Sequence, residues 1–163
     1  VLHEVVLRLS HHDADIRCAA LQALREVTVP GDDGAIAAIT PLFGKLSESL
    51  LHVAVDALVI VAGPGKHHAA SAILSHPQAE VRCAALNATA RLAEKGDDDA
   101  MTWVIGLFGD ADASVRKMAM EALLELAMPG RRQATRELCL VLAHPDPEVR
   151  CQALEALASV AAR

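Results

Sequence analysis

Aromatic side chains are nearly missing from this chain. Its 163 residues include no Tyr, one Trp (Trp103) and two Phe (Phe43, Phe108). The apolar 53% is mostly Ala, Leu and Val. Strands favour β-branched and aromatic residues, so this composition argues against a β-sandwich and suits closely packed helices. Long apolar runs are missing too. No stretch reaches the roughly 18 residues that suggest a membrane span, so no membrane partner is expected. The opening VLHEVVLRL carries His3, Glu4 and Arg8 within it, unlike a signal peptide. Basic runs stop at the pair Arg131-Arg132, and 15 basic against 21 acidic residues leave a net charge of −6. A nucleic-acid binder needs a basic stripe to displace counterions, so no nucleic-acid partner is expected. An initiator Met is absent and the chain opens inside a helical pattern, which reads as a processed product or a piece of a longer array.

Four cysteines are too few for a disulfide framework. Cys18, Cys83 and Cys151 occupy one slot of a repeated phrase. Stacked helices lie about 8–10 Å apart, whereas disulfide Cα atoms lie within about 7 Å, so these thiols should not bridge. Reduced thiols in an intracellular, reducing compartment are the simpler expectation.

What the chain has in abundance is one phrase. DADIRC (13–18), QAEVRC (78–83), DASVRK (112–117) and DPEVRC (146–151) are near copies, and SESLLH (47–52) is a worn one. Aligned on the Arg, the positions are Arg17, Leu51, Arg82, Arg116 and Arg150, with steps of 34, 31, 34 and 34. A recurrence of this length overrides single-domain reasoning. After each phrase the apolar residues keep one spacing, as in Val149, Ala153, Ala156, Leu157 and Val160, which is one face of an α-helix. The worn copy keeps that face in Leu50, Val53, Ala54, Ala57, Leu58 and Val61. A preceding helix is marked eight residues before the Arg by Leu9, Phe43, Leu74, Phe108 and Leu142. It is marked twelve before by Val5, Ile39, Ala70, Val104 and Leu138.

The punctuation agrees. Gly31, Gly63, Gly65, Gly96 and Gly130 fall between repeats, where a helix must stop. Asp13, Ser47, Asp112 and Asp146 fall where a side-chain oxygen caps the second helix, with Gln78 a weaker cap. Pro147 takes the first helical position, and Pro41 is expected to kink the first helix of the second repeat. The expected units are 1–30, 31–63, 64–96, 97–129 and 130–163, in one repeat domain.

DPEVRCQALEAL (146–157), DASVRKMAMEAL (112–123) and DADIRCAALQAL (13–24) follow Asp-x-x-Val-Arg-x-x-Ala-x-x-Ala-Leu, and QAEVRCAALNAT loses the Asp and the last Leu. This pattern resembles the HEAT-repeat family, in particular the short HEAT-like units of the phycobilisome-lyase type, over almost the whole chain. The resemblance implies an all-α fold: an α-solenoid, a right-handed superhelix of about five HEAT-like helical hairpins. No such hairpin buries its apolar face alone, so neighbours must cover it. The resemblance further implies a structural ladder of Asp13, Arg17, Arg82, Asp112, Arg116, Asp146 and Arg150, each exposed link worth about 0.2–1 kcal/mol. Leu51 in place of Arg, followed by the short step, predicts a local change of curvature near the second repeat.

Candidate chemistry is sparse. The slot after the Arg holds Cys18, His52, Cys83, Lys117 and Cys151. Deoxyhypusine hydroxylase, another HEAT-like protein, carries iron-binding His-Glu pairs in this slot. Here the pairs read Cys18-Ala19, His52-Val53, Cys83-Ala84, Lys117-Met118 and Cys151-Gln152, without a carboxylate. The favoured reading is a small half-buried Cys at a helix boundary. His11, His76 and His144 share a register in the turn, but Lys45 and Asp110 interrupt the row, so turn-filling, solvent-exposed His is preferred to a metal row. His12, His67 and His68 lie nearby without extending it. The acidic loops GDDG (31–34) and GDDDA (96–100) do not match an EF-hand and read as helix starts. No catalytic motif, metal set or cofactor motif is found.

The expected function is therefore a non-catalytic scaffold. The resemblance places the second helices on a concave side, where Gln22, Arg25, Asn87, Arg91, Lys117, Glu121, Gln152 and Glu155 would read a protein or peptide. Those residues mix both charge signs, which suits a protein more than a polyanion. The alternatives are a bilin lyase or chaperone, by the same resemblance, and a nucleic-acid-binding HEAT-like module. The apolar ends, VLHEVV and ASVAAR, suggest end-to-end self-association or a missing flank.

Overall fold

The computed structural model of the chain describes residues 1–128 and 132–161. Gly130, expected to end a repeat, lies outside them. Every regular element among the described residues is helical. Helices α1 (Leu2–Arg8) and α2 (Ala14–Val27) make the first hairpin, α3 (Asp33–Ile39) and α4 (Leu51–Ala62) the second, and α5 (His68–Ser71) and α6 (Ala79–Leu92) the third. The fourth and fifth are α7 (Asp98–Gly106) with α8 (Ala113–Leu126), and α9 (Arg132–Val141) with α10 (Pro147–Ala161).

Packing divides the chain into two compact units, Val1–Leu92 and Ala93–Arg163. In the N-terminal unit α2 packs on α4 and α4 on α6, while α1 lies against α3. In the C-terminal unit α8 packs on α10 and α7 on α9. Each unit thus has a layer of first helices and a layer of second helices, with its core between them.

The core is the recurring apolar stripe. Leu9, Phe43, Leu74 and Phe108 are all buried, and so are Ile39, Ala70, Val104 and Leu138. On the second helices Leu24, Leu58 and Leu123 are fully buried. A buried Leu of this kind contributes about 1.5–3 kcal/mol, so this stripe outweighs any single polar contact at the surface.

Three local features depart from the expected pattern, and all lie in the second and third repeats. Pro41 ends α3 and does not kink it: α3 stops at Ile39 and Thr40–Gly44 continues as a 3-10 turn with Pro41 in its first turn. A Pro lacks the N–H that a continuing helix would use. Ser47 makes no capping hydrogen bond; its hydroxyl lies 3.1 Å from that of Ser49, and a 3-10 turn (Glu48–Leu50) precedes α4. The third repeat, which follows the 31-residue step, has a first helix of only four residues, His68–Ser71.

Candidate binding surface

The turn inside four of the five hairpins is held by the Arg of the phrase. Arg17 Nη1 donates to the carbonyls of His11 and His12 at 2.8 and 2.9 Å. Arg82 donates to His76 and Pro77 at 2.8 and 2.9 Å. Arg116 donates to Asp110 and Ala111 at 2.9 and 3.3 Å, and Arg150 to His144 and Pro145 at 2.9 and 2.8 Å. These carbonyls follow the first helix, where no intrahelical donor remains for them. One guanidinium therefore closes each turn from the second helix. Leu51, in the equivalent slot, is 6% exposed and offers no such donor.

The Asp of the phrase caps α2, α8 and α10. Asp13 accepts from the Asp15 amide at 2.9 Å, Asp112 from Ser114 at 2.8 Å and Asp146 from Glu148 at 2.9 Å. A second acceptor precedes the cap. His11, His76 and His144 each accept through Nδ1 from the amide two residues on, at 3.1, 3.2 and 3.2 Å. In the fourth hairpin Asp110 accepts the same bond from Asp112 at 2.9 Å. The substitution that interrupts the histidine row thus preserves an acceptor in the same place. The three histidines are half-buried, not the solvent-exposed fillers expected of them. The rings of His76 and His144 also lie close to a glycine of the preceding hairpin. A Cβ on Gly44 would lie 3.3 Å from His76 Nε2, and one on Gly109 3.1 Å from His144 Nε2.

Hairpins are joined by a contact the sequence reading missed. The loop glycine after one second helix donates its amide to a carbonyl near the end of the next. Gly31 reaches Val61 at 2.8 Å, Gly65 reaches Leu92 at 2.7 Å and Gly96 reaches Leu126 at 2.8 Å. All three glycines have positive φ, between 79° and 88°, which L side chains rarely adopt. A ladder side chain makes a further joint: Arg116 Nη2 donates to Glu148 Oε2 at 2.9 Å, linking α8 to α10.

The residues expected to read a partner lie on α2, α6, α8 and α10. Gln22, Arg25, Asn87, Arg91, Lys117, Glu121 and Glu155 are exposed. Gln152 is half-buried, and its Oε1 is buried without a hydrogen-bond partner. Arg91 pairs with Asp56 of α4 at 2.7 Å, a partner not singled out beforehand. Lys117 lies 3.8 Å from Glu121 along α8. Cys18, Cys83, Cys139 and Cys151 form no disulfide among the described residues. Cys18 and Cys151 are exposed, contrary to the half-buried expectation, and Cys83 is half-buried. The acidic loops supply caps: Asp32 accepts from Gly34 and Ala35, and Asp97 from Ala100. Among the described residues no group of three or more His, Cys, Asp or Glu is placed to hold a metal ion.

Two open grooves accompany this surface. One of about 700 Å³ runs between α7 and α9, past Ile105, Gly106, Glu137 and Leu140. The other, about 330 Å³, lies across α1 and α2.

No protein-family model matches the chain, and no curated protein does. Solved structures do. An engineered protein is 22% identical, with a TM-score of 0.50 over 98% of this chain and 78% of its own. A designed armadillo repeat protein in complex with the peptide (KR)4 is 21% identical, with a TM-score of 0.49 over 97% of this chain and 81% of its own. Another designed armadillo repeat protein is 20% identical, with a TM-score of 0.48 over 98% of this chain and 82% of its own. The helical hairpins, repeated on one register, and the likeness to the engineered protein make this chain an all-α solenoid repeat protein.

Proposed function

We propose that the chain is a non-catalytic scaffold of HEAT-like repeats that binds a protein or peptide along its second helices. One observation carries this reading. Second helices present exposed polar side chains at matching slots: Gln22 on α2 and Asn87 on α6 in the N-terminal unit, on either side of α4, and Glu121 and Glu155 on the packed α8 and α10 of the C-terminal unit. Arg staples hold α2, α6, α8 and α10 in their hairpins, and in the N-terminal unit the amides of Gly31 and Gly65 bond to the ends of α4 and α6. Within each unit, polar groups held on packed helices lose little freedom on binding a chain, which favours affinity. Mixed charge along the row suits a partner chosen for sequence over bulk charge.

The test compares the two helix layers. A photo-crosslinker at Asn87 or Glu121 should capture a defined partner, and one at Ala72 or Gly106, exposed on the first-helix layer, should not. Equal capture from both layers, or capture from the first-helix layer alone, overturns the assignment.

A further inference from the structure

Inside the N-terminal unit α4 packs between α2 and α6. Past Asp56 the chain carries no charged or hydrogen-bonding side chain from Ala57 to Pro64. Most of that stretch is core, but Val59 and Ile60 are only half-buried. They leave an apolar strip in contact with water in the middle of the second-helix layer.

A guanidinium stands at the same level on each neighbouring helix. Val59 and Ile60 lie eight and nine residues after Leu51, the slot of the phrase Arg. Arg25 lies eight after Arg17, and Arg91 nine after Arg82. Both are exposed. Asp56 holds Arg91 through Nη1 at 2.7 Å and so draws it from α6 toward α4. Arg25 makes no hydrogen bond or ion pair among the described residues. The adjacent anion, Glu26, occupies the slot of Arg91. That slot leans toward the preceding second helix, as the bond to Asp56 shows, so Glu26 leans away from α4. Arg25, one residue earlier and about 100° round the helix, lies on the α4 side.

An apolar strip with a cation on either side fits one class of partner. Covering Val59 and Ile60 favours an apolar side chain. Guanidinium groups favour carboxylates, whose geometry they match. Packed helices about 8–10 Å apart put α2 and α6 about 16–20 Å apart, the span of roughly five or six residues of extended chain.

We infer that the segment seated on the N-terminal unit is an extended acidic peptide. An apolar side chain lies on Val59 and Ile60, and two carboxylates, roughly five or six residues apart, flank it on Arg25 and Arg91. The inference rests on the partner-binding reading and names the chemistry of that partner.

Methyl NMR of the full chain tests it with three synthetic ten-residue peptides. One has a central Leu and a Glu three residues to either side; the second has Lys for both Glu; the third has Ser for Leu. The first should shift the methyls of Val59 and Ile60 and leave Val141 on α9 unmoved. The other two should bind at least about threefold more weakly. Arg25→Glu removes no contact of the fold. It should weaken the Glu peptide at least about threefold and bind the Lys peptide better than the parent does. Unmoved Val59 and Ile60 methyls at millimolar peptide, equal affinity for the Glu and Lys peptides, or an Arg25→Glu chain that binds as the parent does overturns the inference. The crosslinker at Asn87 separates the two claims. A defined partner captured alike by the parent and by Arg25→Glu keeps the scaffold and removes the acidic peptide. Capture from no second helix removes both.

Discussion

Arg116 Nη2 lies 2.9 Å from Glu148 Oε2, with the Arg116 side chain 7% exposed and that of Glu148 61% exposed. The two partners therefore contribute unequally. Glu148 returns to water when the pair breaks, so Glu148→Gln should cost under about 1 kcal/mol. Arg116 also closes its turn on two carbonyls and fills buried space. Arg116→Ala should cost about 2–4 kcal/mol. Arg116→Lys should recover little of this, because an ammonium lacks the guanidinium fork that reaches the carbonyls and the carboxylate together. Urea midpoints for the three variants, at unchanged slope, give the ranking. Equal losses for Arg116→Ala and Glu148→Gln would place the energy in the ion pair and contradict the staple.

Two glycines of the C-terminal unit should respond to alanine with opposite sign. Gly96 has φ +81° and donates to Leu126. Gly96→Ala should destabilise by about 1–2 kcal/mol through backbone strain. Gly106 ends α7 with φ −56°, and a Cβ there meets nothing within 4 Å. Gly106→Ala should stabilise by about 0.5–1 kcal/mol, the helix-propensity gain. Thermal melts of both variants read the two signs directly.

The histidine acceptors should be replaceable by aspartate. Asp110 already serves in the fourth hairpin, so His144→Asp should retain most of the stability. His144→Ala leaves the Asp146 amide without its acceptor and should cost about 0.5–1.5 kcal/mol. Chemical denaturation of the two variants side by side checks this; an alanine as stable as the aspartate would remove the acceptor role.

The pair Arg91–Asp56 is open to water, with side chains 42% and 39% exposed. A double-mutant cycle on these residues should give a coupling of about 0.2–1 kcal/mol that fades with added salt. Arg91→Ala is then a mild change for the fold. Any large loss of partner binding in that variant reports on the surface itself.

Much of the architecture was legible because it is written in side chains at fixed intervals. The positions eight and twelve before each Arg marked the first helices, and the Asp at 13, 112 and 146 marked the caps. The shortened α5 was less legible: the 31-residue step was visible, but not which element would give up the residues. The joints were illegible for a physical reason. Gly31, Gly65 and Gly96 bond to carbonyls 27 or 30 residues later, and a main-chain acceptor leaves no mark in the amino-acid pattern. The turn histidines had a mark that was misread. Asp110 interrupts the row as a metal site but continues it as a set of hydrogen-bond acceptors. Lys45, which can only donate, is the true break. The polar slots of the second helices were visible in the sequence, but the bridge from Arg91 to Asp56 depends on how α4 and α6 lie side by side.

The second repeat lost the Asp and the Arg of the phrase, yet the carbonyl of Val61 still receives the amide of Gly31. Adhesion between neighbours is thus decoupled from the identity of most residues they display. Substitutions that remodel the outer slots of a second helix leave that seam untouched, so the outer surface can change one hairpin at a time. A hairpin exchanged between positions keeps its seam as long as the glycine ahead of it is kept.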